Sequence, residues 1–517
     1  MKRFLLAFGA FILIAATLSA ILVNVPLTKA PNDGLSKDIL IKDVHIVDVQ
    51  NGKIIPNQDV VVQDGRVSSI EATSSKARAT SLHVVDGRGK YLSPSLWDMH
   101  THSFKISPQF HHPLLIANGV LGVRDMSGCM SDDDSFWACI KDRETWNRAT
   151  ESKAGLSPRY FLQSSYQTNG GNEVPEGFPS FFKANDIANI EQLVSFYKNA
   201  GADFIKIYSE LSPEAYKALA QHAEAQGLGI AGHQPLRVSL LETIAAKQQT
   251  IEHPRLFLME CHKGQEQFRA LSDPKSAYTT EYKAQLVDAH DTEHCKKMFQ
   301  EMASSRTFWT PTMQVLRLSA KASDRSFRED PRLRFIPALI NFGMWQGDAD
   351  QSAKRSTTPQ GRNVDIELYA LAMKNLAQAH DAGVKILVGT DTGDSYVFPG
   401  FGVHDEMAEF VRAGLSPQDV LRMATIDAAK FSRVDHKFGS IEVGKAADMM
   451  LLLANPYDDI HNTQKIDGVF FNGQFFDRRA LDNLLDFAEQ QAGSIRLNVR
   501  LLWDVLSSPL MRVQLAD

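Results

Sequence analysis

The chain has 517 residues, of which 44% are hydrophobic and 22% are charged. This length is sufficient for more than one domain with a full hydrophobic core. The 55 lysines and arginines are balanced by 61 acidic residues, which gives a formal net charge of −6. Since the chain also lacks a basic stripe with interleaved aromatic residues, we expect no nucleic acid among its partners.

The N-terminus carries a charged start followed by a long apolar run. Lys2 and Arg3 precede residues 4–23, which contain no charged side chain. This pattern predicts an export signal, and the run is also long enough for a membrane-spanning helix. We assign residues 1–28 as a signal peptide or N-terminal membrane anchor and expect a periplasmic or extracellular protein. The sequence leaves open cleavage of the signal, membrane attachment through residues 4–23, and homo-oligomerisation.

Four cysteines follow in the exported portion: Cys129, Cys139, Cys261 and Cys295. An even number of cysteines in an oxidising compartment favours disulfides. Local pairing predicts one bridge between Cys129 and Cys139 and another between Cys261 and Cys295, each clamping a loop at the rim of the active site. Sequence does not determine connectivity, so the other pairings remain open, as do four free buried thiols.

Two distant segments have the alternation of short β-strands. Residues 29–93 alternate apolar and polar side chains and contain the turn signals "NG" and "DG", which predict strands and hairpins. A similar pattern returns in residues 438–480, so we expect the two flanks to pair into one small β-domain. Residues 481–517 form a C-terminal helical extension. The stretch "DRRALDNLLDFAEQQ" at its start predicts an amphipathic helix with a packing role.

Residues 94–437 contain eight short apolar runs separated by longer helical stretches. The runs are "LWDMHTH", "GVLGVRDM", "RYFLQSS", "DFIKIYS", "LGIAGH", "QQTIEH", "TFWTPTM" and "KILVGTD". This alternation is typical of βα units with parallel strands, so the predicted fold is α/β, a (β/α)8 TIM barrel. The intervals 254–306 and 318–370 are too long for simple connections and predict additional helices or lids.

The ends of these runs carry metal-binding side chains. His100 and His102 lie one residue apart on the first run, so their side chains share one face of the strand. Converging neutral imidazoles are ligands that zinc prefers. Active sites of such barrels form at the C-terminal strand ends, where we expect a ring of six metal-competent groups. The members beyond the first run are Lys206, His233, His253 and Asp391.

Lys206 is unusual because it lies within an apolar strand. A buried ammonium group is costly unless it is paired or chemically changed. One interpretation is an ion pair with Asp125 inside the barrel. The other is that the amine has taken up carbon dioxide and become a carbamate, an anionic ligand that bridges two cations. Because four histidines and Asp391 are expected at the same strand ends, the carbamate is favoured over the ion pair.

Three further residues are candidates for substrate binding, each with a structural alternative. Tyr208 could donate a hydrogen bond to a substrate carboxylate or oxyanion, or make a structural hydrogen bond at the barrel mouth. Arg124 could clamp a carboxylate, or belong to an internal ion pair near Asp125. His404 could line the pocket from the loop after the eighth run, or face solvent at the start of a helix.

The motifs resemble those of one protein superfamily. They are "DMHTH", "GVRDM", "GADFIKIY", "AGH", "IEH", "GTDTG", "AGLSPQDVLRMATIDAAKFS" and "GSIEVGKAADMMLL". In this order they resemble the binuclear metal-dependent amidohydrolase superfamily over residues 38–480, in particular its imidazolonepropionase-like and Xaa-Pro dipeptidase-like group. The resemblance implies a composite β-sandwich, formed by both flanks, beside the barrel.

The resemblance also implies a role for each ligand. His100 and His102 bind one metal, and His233 and His253 bind the other. Carboxylated Lys206 bridges the two ions, while Asp391 binds the first ion and accepts a proton.

Two divalent cations, which we expect to be Zn²⁺, can share a water molecule, lower its pKa and polarise a carbonyl group. The bridging hydroxide would attack, with Asp391 as the proton shuttle to the leaving amine. The predicted protein is an amidohydrolase acting on a non-aromatic C–N bond in a small substrate, such as a dipeptide or an N-acyl amino acid. A lactonase or cyclic-amide hydrolase and an inactive binding protein are the alternatives, whereas Lys206 argues against a single-metal deaminase.

Overall fold

The computed structural model describes residues 22–74 and 81–515. The predicted signal or anchor, residues 1–28, therefore lies largely outside the described residues. Within the two described ranges, no helix is both long and apolar enough to cross a membrane.

Fifteen strands lie in the described part of the chain. They are β1 Ile39–Asp48, β2 Lys53–Gln63, β3 Arg66–Ala72, β4 His83–Asp86, β5 Tyr91–Pro94, β6 Leu96–Thr101, β7 Val120–Asp125, β8 Arg159–Tyr160, β9 Phe204–Ile207, β10 Gly229–Gly232, β11 Thr250–Glu252, β12 Phe308–Thr310, β13 Met449–Leu452, β14 Ile466–Phe471 and β15 Gln474–Asp477.

The flanking strands form one mixed sheet. Its order is β15-β14-β13-β5-β1-β2-β3, with β4 paired to β1. Strands from both flanks therefore pair, as the alternation predicted. The predicted β-sandwich is not confirmed, because the described flanking strands belong to a single sheet. This sheet packs on its own apolar cluster. Beside β3, the Ala447 N–H donates a hydrogen bond to the Gly65 carbonyl, and the Val67 N–H donates one to the Lys445 carbonyl.

The central region has the alternating strands and helices of a TIM-barrel-like α/β fold. Strands β6, β7 and β8 form one parallel sheet, and β9, β10, β11 and β12 form another. These seven strands fall, in chain order, on the first seven of the eight predicted runs. An isolated parallel bridge from Ser164 to Phe204 joins the edges of the two sheets.

The eighth run, residues 385–391, is not a regular strand, so the described residues do not form a continuous closed sheet. It nevertheless lies between β12 and β6. Met99 donates a backbone hydrogen bond to Val388 (3.0 Å), and Asp391 donates one to His100 (2.8 Å). Asp391, the last residue of the run, has a φ of 67°, a left-handed conformation that residues other than glycine adopt uncommonly.

Helices cover the strands and fill both long intervals, as predicted. Their bounds are His111–Ala117, Ile140–Glu151, Ile190–Asn199, Pro213–Ala225, Leu240–Ala245, Arg255–Glu260, Gln265–Arg269, Pro274–Ala277, Thr280–Asp288, Thr292–Ser304, Met313–Lys321, Arg325–Arg328, Ala338–Ile340, Gln346–Arg355, Val364–Asp381, Phe401–Ala413, Pro417–Met423, Ile426–Phe431, Arg478–Ala492, Ile495–Ser507 and Pro509–Gln514. The predicted amphipathic helix is Arg478–Ala492. It is capped by Asp477 and buries Leu481 and Leu484 in the main core.

Both predicted disulfides are present. Cys129 bonds Cys139 across ten residues, and Cys261 bonds Cys295 across 34 residues. The first bridge closes a loop whose Trp137 lines the central cavity. The second was expected at the rim of the active site but is fully buried in the main apolar core, because its cysteines lie on packed helices.

Candidate metal centre

The six predicted ligands lie together at one end of the parallel strands. They are His100 on β6, His102 just after it, Lys206 on β9, His233 and His253 directly after β10 and β11, and Asp391 in the eighth run. Asp391 lies at their centre, with Oδ1 2.8 Å from His102 Nε2 and 3.1 Å from His100 Nε2. Oδ2 of Asp391 is 3.6 Å from His253 Nδ1.

His233 and Lys206 complete the group. The Nε2 atoms of His233 and His253 are 2.9 Å apart, and Lys206 Nζ is 3.5 Å from His100 Nε2. No described carboxylate forms an ion pair with Lys206. The alternative pair with Asp125 is not formed, since Asp125 faces Arg143 at 3.4 Å. Burial lowers the pKa of Lys206 to about 8, which favours the neutral amine that adds carbon dioxide.

Each of the four histidines is held through its Nδ1 atom. The hydrogen-bond partners are Glu252 for His100 (3.0 Å), Ser127 for His102 (2.8 Å), Ser209 for His233 (2.6 Å) and Thr312 for His253 (2.9 Å). Such partners orient imidazole ligands toward a metal. The sequence analysis missed all four residues, because three of them lie in loops whose contacts no local pattern indicates.

Glu252, the fourth of these partners, was missed although it directly precedes His253. Its carboxylate bonds both His100 and Arg124, the latter at 2.8 Å. Burial opposes ionisation of Glu252, but Arg124 and His100 hold its pKa below the usual range. Arg124 also donates to Met99 O and Thr250 Oγ1. Arg124 is therefore an internal ion-pair member, as one interpretation held, and it does not reach the cavity wall.

The electrostatics favour metal-binding protonation states at most positions. Burial lowers the pKa values of His102, His233 and His253, the last to about 3, so these imidazoles stay neutral as ligands must. For His100, burial is outweighed by Asp391, which raises its pKa. Burial likewise opposes ionisation of Asp391, but His100 and the other histidines hold its pKa well below the usual range.

The backbone at the centre is unusual. His253, Thr312 and Asp391 have φ values of 73°, 46° and 67°, a region that side chains other than glycine rarely adopt outside functional sites. Close approach of the eighth run to β6 also requires Gly389. A Cβ atom there would lie 2.8 Å from His100 N.

The centre opens into a cavity of about 610 Å³. Tyr208 lines this cavity and stacks on His233 with ring centroids 4.1 Å apart. Burial raises the pKa of Tyr208 to about 12, so its hydroxyl remains a donor. His404 does not reach the cavity, because its ring nitrogens are hydrogen-bonded to Thr463 Oγ1 and to Asn118 O.

Known proteins are similar to this chain in sequence and in fold. The model of the amidohydrolase family matches residues 353–476. Among solved structures, bottromycin amidohydrolase is 22% identical with a TM-score of 0.65, over 92% of this chain and 93% of its own. An Xaa-Pro dipeptidase with bound methionine in the active site is 19% identical with a TM-score of 0.58, over 85% and 100% of the two chains.

Residues 353–476 are therefore similar to the amidohydrolase family, and the solved structures share the fold of this chain. This similarity agrees with the resemblance seen in the motifs and supports the predicted enzyme class, a metal-dependent hydrolase acting on carbon–nitrogen bonds. A curated relative, adenine deaminase of Paracoccus denitrificans (strain Pd 1222), is 31% identical over 123 residues. That match spans only 20% of this chain and 20% of the relative.

Proposed function

We propose that this protein is an exported, binuclear metal-dependent hydrolase that cleaves an amide bond in a small substrate. A dipeptide or an N-acyl amino acid is the substrate class that fits best. The observation that carries the proposal is the group of four histidines, each held at Nδ1, around Asp391 with a buried lysine beside them. The apolar run at residues 4–23 and the two disulfides support export.

The donor set fits two divalent cations. His100, His102 and Asp391 would hold one ion, and His233 and His253 the other, with carboxylated Lys206 between them. Zn²⁺ suits imidazole and carboxylate ligands of this kind. When bound, such a pair supplies Lewis acidity and a water of lowered pKa.

Asp391 and Tyr208 supply the proton chemistry in this proposal. The ionised carboxylate of Asp391 faces the histidines and accepts a proton from the attacking water. It then delivers this proton to the leaving amine, which an amide needs more than an ester does. The Tyr208 hydroxyl, protonated and at the cavity wall, donates a hydrogen bond to the substrate.

A carboxylate on the substrate is supported by Arg255. This half-buried side chain lines the cavity and donates to Ser209 Oγ at 3.0 Å. No carboxylate among the described residues forms an ion pair with Arg255, so its other N–H groups can bind an acid group in a forked geometry. This feature favours dipeptides and N-acyl amino acids over uncharged amides.

The test is hydrolysis by the metal-loaded protein across a panel of dipeptides, N-acyl amino acids, the matching C-terminal amides, lactones and cyclic amides. We expect cleavage of the free acids and weaker cleavage of their C-terminal amides. Turnover restricted to lactones or cyclic amides would favour the alternative hydrolase. Metal binding without turnover of any class would favour a binding protein, and release of ammonia from adenine would favour a deaminase.

A further inference from the structure

The C-terminal helices pack on the side of the central region where the candidate metal ligands lie. Helix Ile495–Ser507 buries Leu497 and Leu501 against a cluster that contains Phe104, which lies just after His102. In helix Pro509–Gln514, Leu510 is fully buried in the cluster that contains Tyr166. The extension is therefore packed into the core on the side where the candidate metal ligands lie.

Polar contacts also join this extension to the loop closed by Cys129 and Cys139. Ser508 Oγ donates to Asp134 Oδ2 at 2.7 Å, and Ser135 Oγ donates to the carbonyl of Asp504 at 2.8 Å. The same loop carries Trp137, whose ring lies 6.3 Å from that of His102. The position of the second helix is thus fixed relative to the site.

Two residues of helix Pro509–Gln514, Val513 and Gln514, line the same cavity as the metal ligands. Gln514 Nε2 donates to Tyr166 Oη at 2.8 Å. This bond engages the Nε2 end of the amide. Gln514 Oε1 accepts no hydrogen bond from any described residue, so a residue of the cavity lining carries a free acceptor.

We propose that Gln514 binds a hydrogen-bond donor on the acyl side of the cleaved bond, the ammonium of a dipeptide or an N–H of a longer acyl group, and that Val513 limits the length of the substrate beside it. This inference rests on the proposed function, because it assigns the outer part of the same substrate site. With Arg255 near the candidate ligands and Gln514 on the extension, the cavity offers a cation and an acceptor, a pairing that suits a dipeptide.

The experiment measures kcat and KM for a dipeptide with wild type, Gln514→Leu and Gln514→Glu. The leucine variant should raise KM roughly tenfold to a hundredfold, the size of one lost hydrogen bond to a charged group, with kcat within about twofold, because this contact does not involve the reacting atoms and is lost equally from the bound substrate and the transition state. The glutamate variant retains an acceptor and should bind the ammonium form at least as well as wild type. Arg512→Ala, an exposed position on the same helix, is the matched control and should leave both constants unchanged.

Calorimetry with a reduced dipeptide, in which CH2–NH replaces the amide, provides a readout that needs no turnover. Gln514→Leu should weaken its binding by the same factor as KM, and Val513→Ala should improve binding of a reduced tripeptide relative to the reduced dipeptide. Equal binding by wild type and Gln514→Leu, with equal melting temperatures, would overturn the inference. Binding of the reduced dipeptide that depends on Gln514, without cleavage of any amide, would instead refute only the proposed reaction.

Discussion

The carboxylate of Glu252 joins the candidate metal ligand His100 to the buried Arg124. It accepts hydrogen bonds from both residues, and its pKa lies below the usual range because Arg124 and the His100 hydrogen bond outweigh burial. Donation from His100 Nδ1 to a carboxylate leaves Nε2 as the free ligand atom and makes it more basic. Affinity for the metal should therefore depend on a residue that does not itself bind the ion.

Glu252→Gln should lower metal affinity roughly tenfold to a hundredfold, as loss of such a supporting carboxylate does. Competition with a fluorescent zinc chelator measures this change. Asp448→Asn is the control, since Asp448 forms a comparable buried ion pair with Arg159 away from the site. The control should lower the melting temperature and leave zinc affinity intact; equal zinc affinities for Glu252→Gln and wild type would refute the role of Glu252.

Asp391→Asn should keep the fold and lower turnover of an amide by roughly a hundredfold to ten-thousandfold, because an amide side chain cannot accept the proton. Metal content should fall much less. The pKa of Asp391 is held well below its usual range. Because only the ionised carboxylate accepts a proton, turnover by the wild type should be retained above that pKa and lost as the pH falls through it. The Asn variant should lack that limb of the pH–rate profile, and turnover within a few-fold of wild type would identify another base.

The two disulfides act on different elements. The bridge between Cys129 and Cys139 closes a loop that lines the cavity and holds the C-terminal helices, whereas the bridge between Cys261 and Cys295 joins helices in the main core. The longer enclosed segment should contribute more to stability, since cross-linking it removes more freedom from the unfolded chain. The shorter one should contribute more to substrate binding.

Replacing Cys129 and Cys139 by alanine should cost about 3 kcal/mol of unfolding free energy, against about 4 kcal/mol for Cys261 and Cys295. Only the first pair of substitutions should also raise KM, because it frees Trp137 and Asp134. Denaturant unfolding and steady-state kinetics on the two double variants measure both effects. A rise in KM for the core pair alone would contradict this division.

Periodicity and the chemistry of single residues predicted much of this molecule. Strand alternation identified His100 and His102, and the cost of a buried ammonium identified Lys206. By contrast, the cavity wall at Gln514 and the supports Ser127, Ser209 and Thr312 depend on contacts between distant segments, which no local pattern encodes. The irregularity of the eighth run was missed because its apolar sequence resembles that of a regular strand.

Across the whole molecule, segments that are far apart in the sequence come together. The sheet pairs strands from both ends of the chain, and the C-terminal extension returns to the cavity. The segment at residues 4–23 makes export a prediction for the whole chain. Disulfides in the folded protein agree with an oxidising compartment.

The central claim is that Lys206, carboxylated, holds two metals together. Its most direct test is elemental analysis of the wild type and of Lys206→Ala, alongside amide turnover, with and without added short carboxylic acids. We expect about two zinc ions per wild-type chain, as in binuclear hydrolytic sites. Lys206→Ala should lose metal and activity together, and the added acid should partly restore both. Retention of both metals and full turnover by Lys206→Ala would contradict the account.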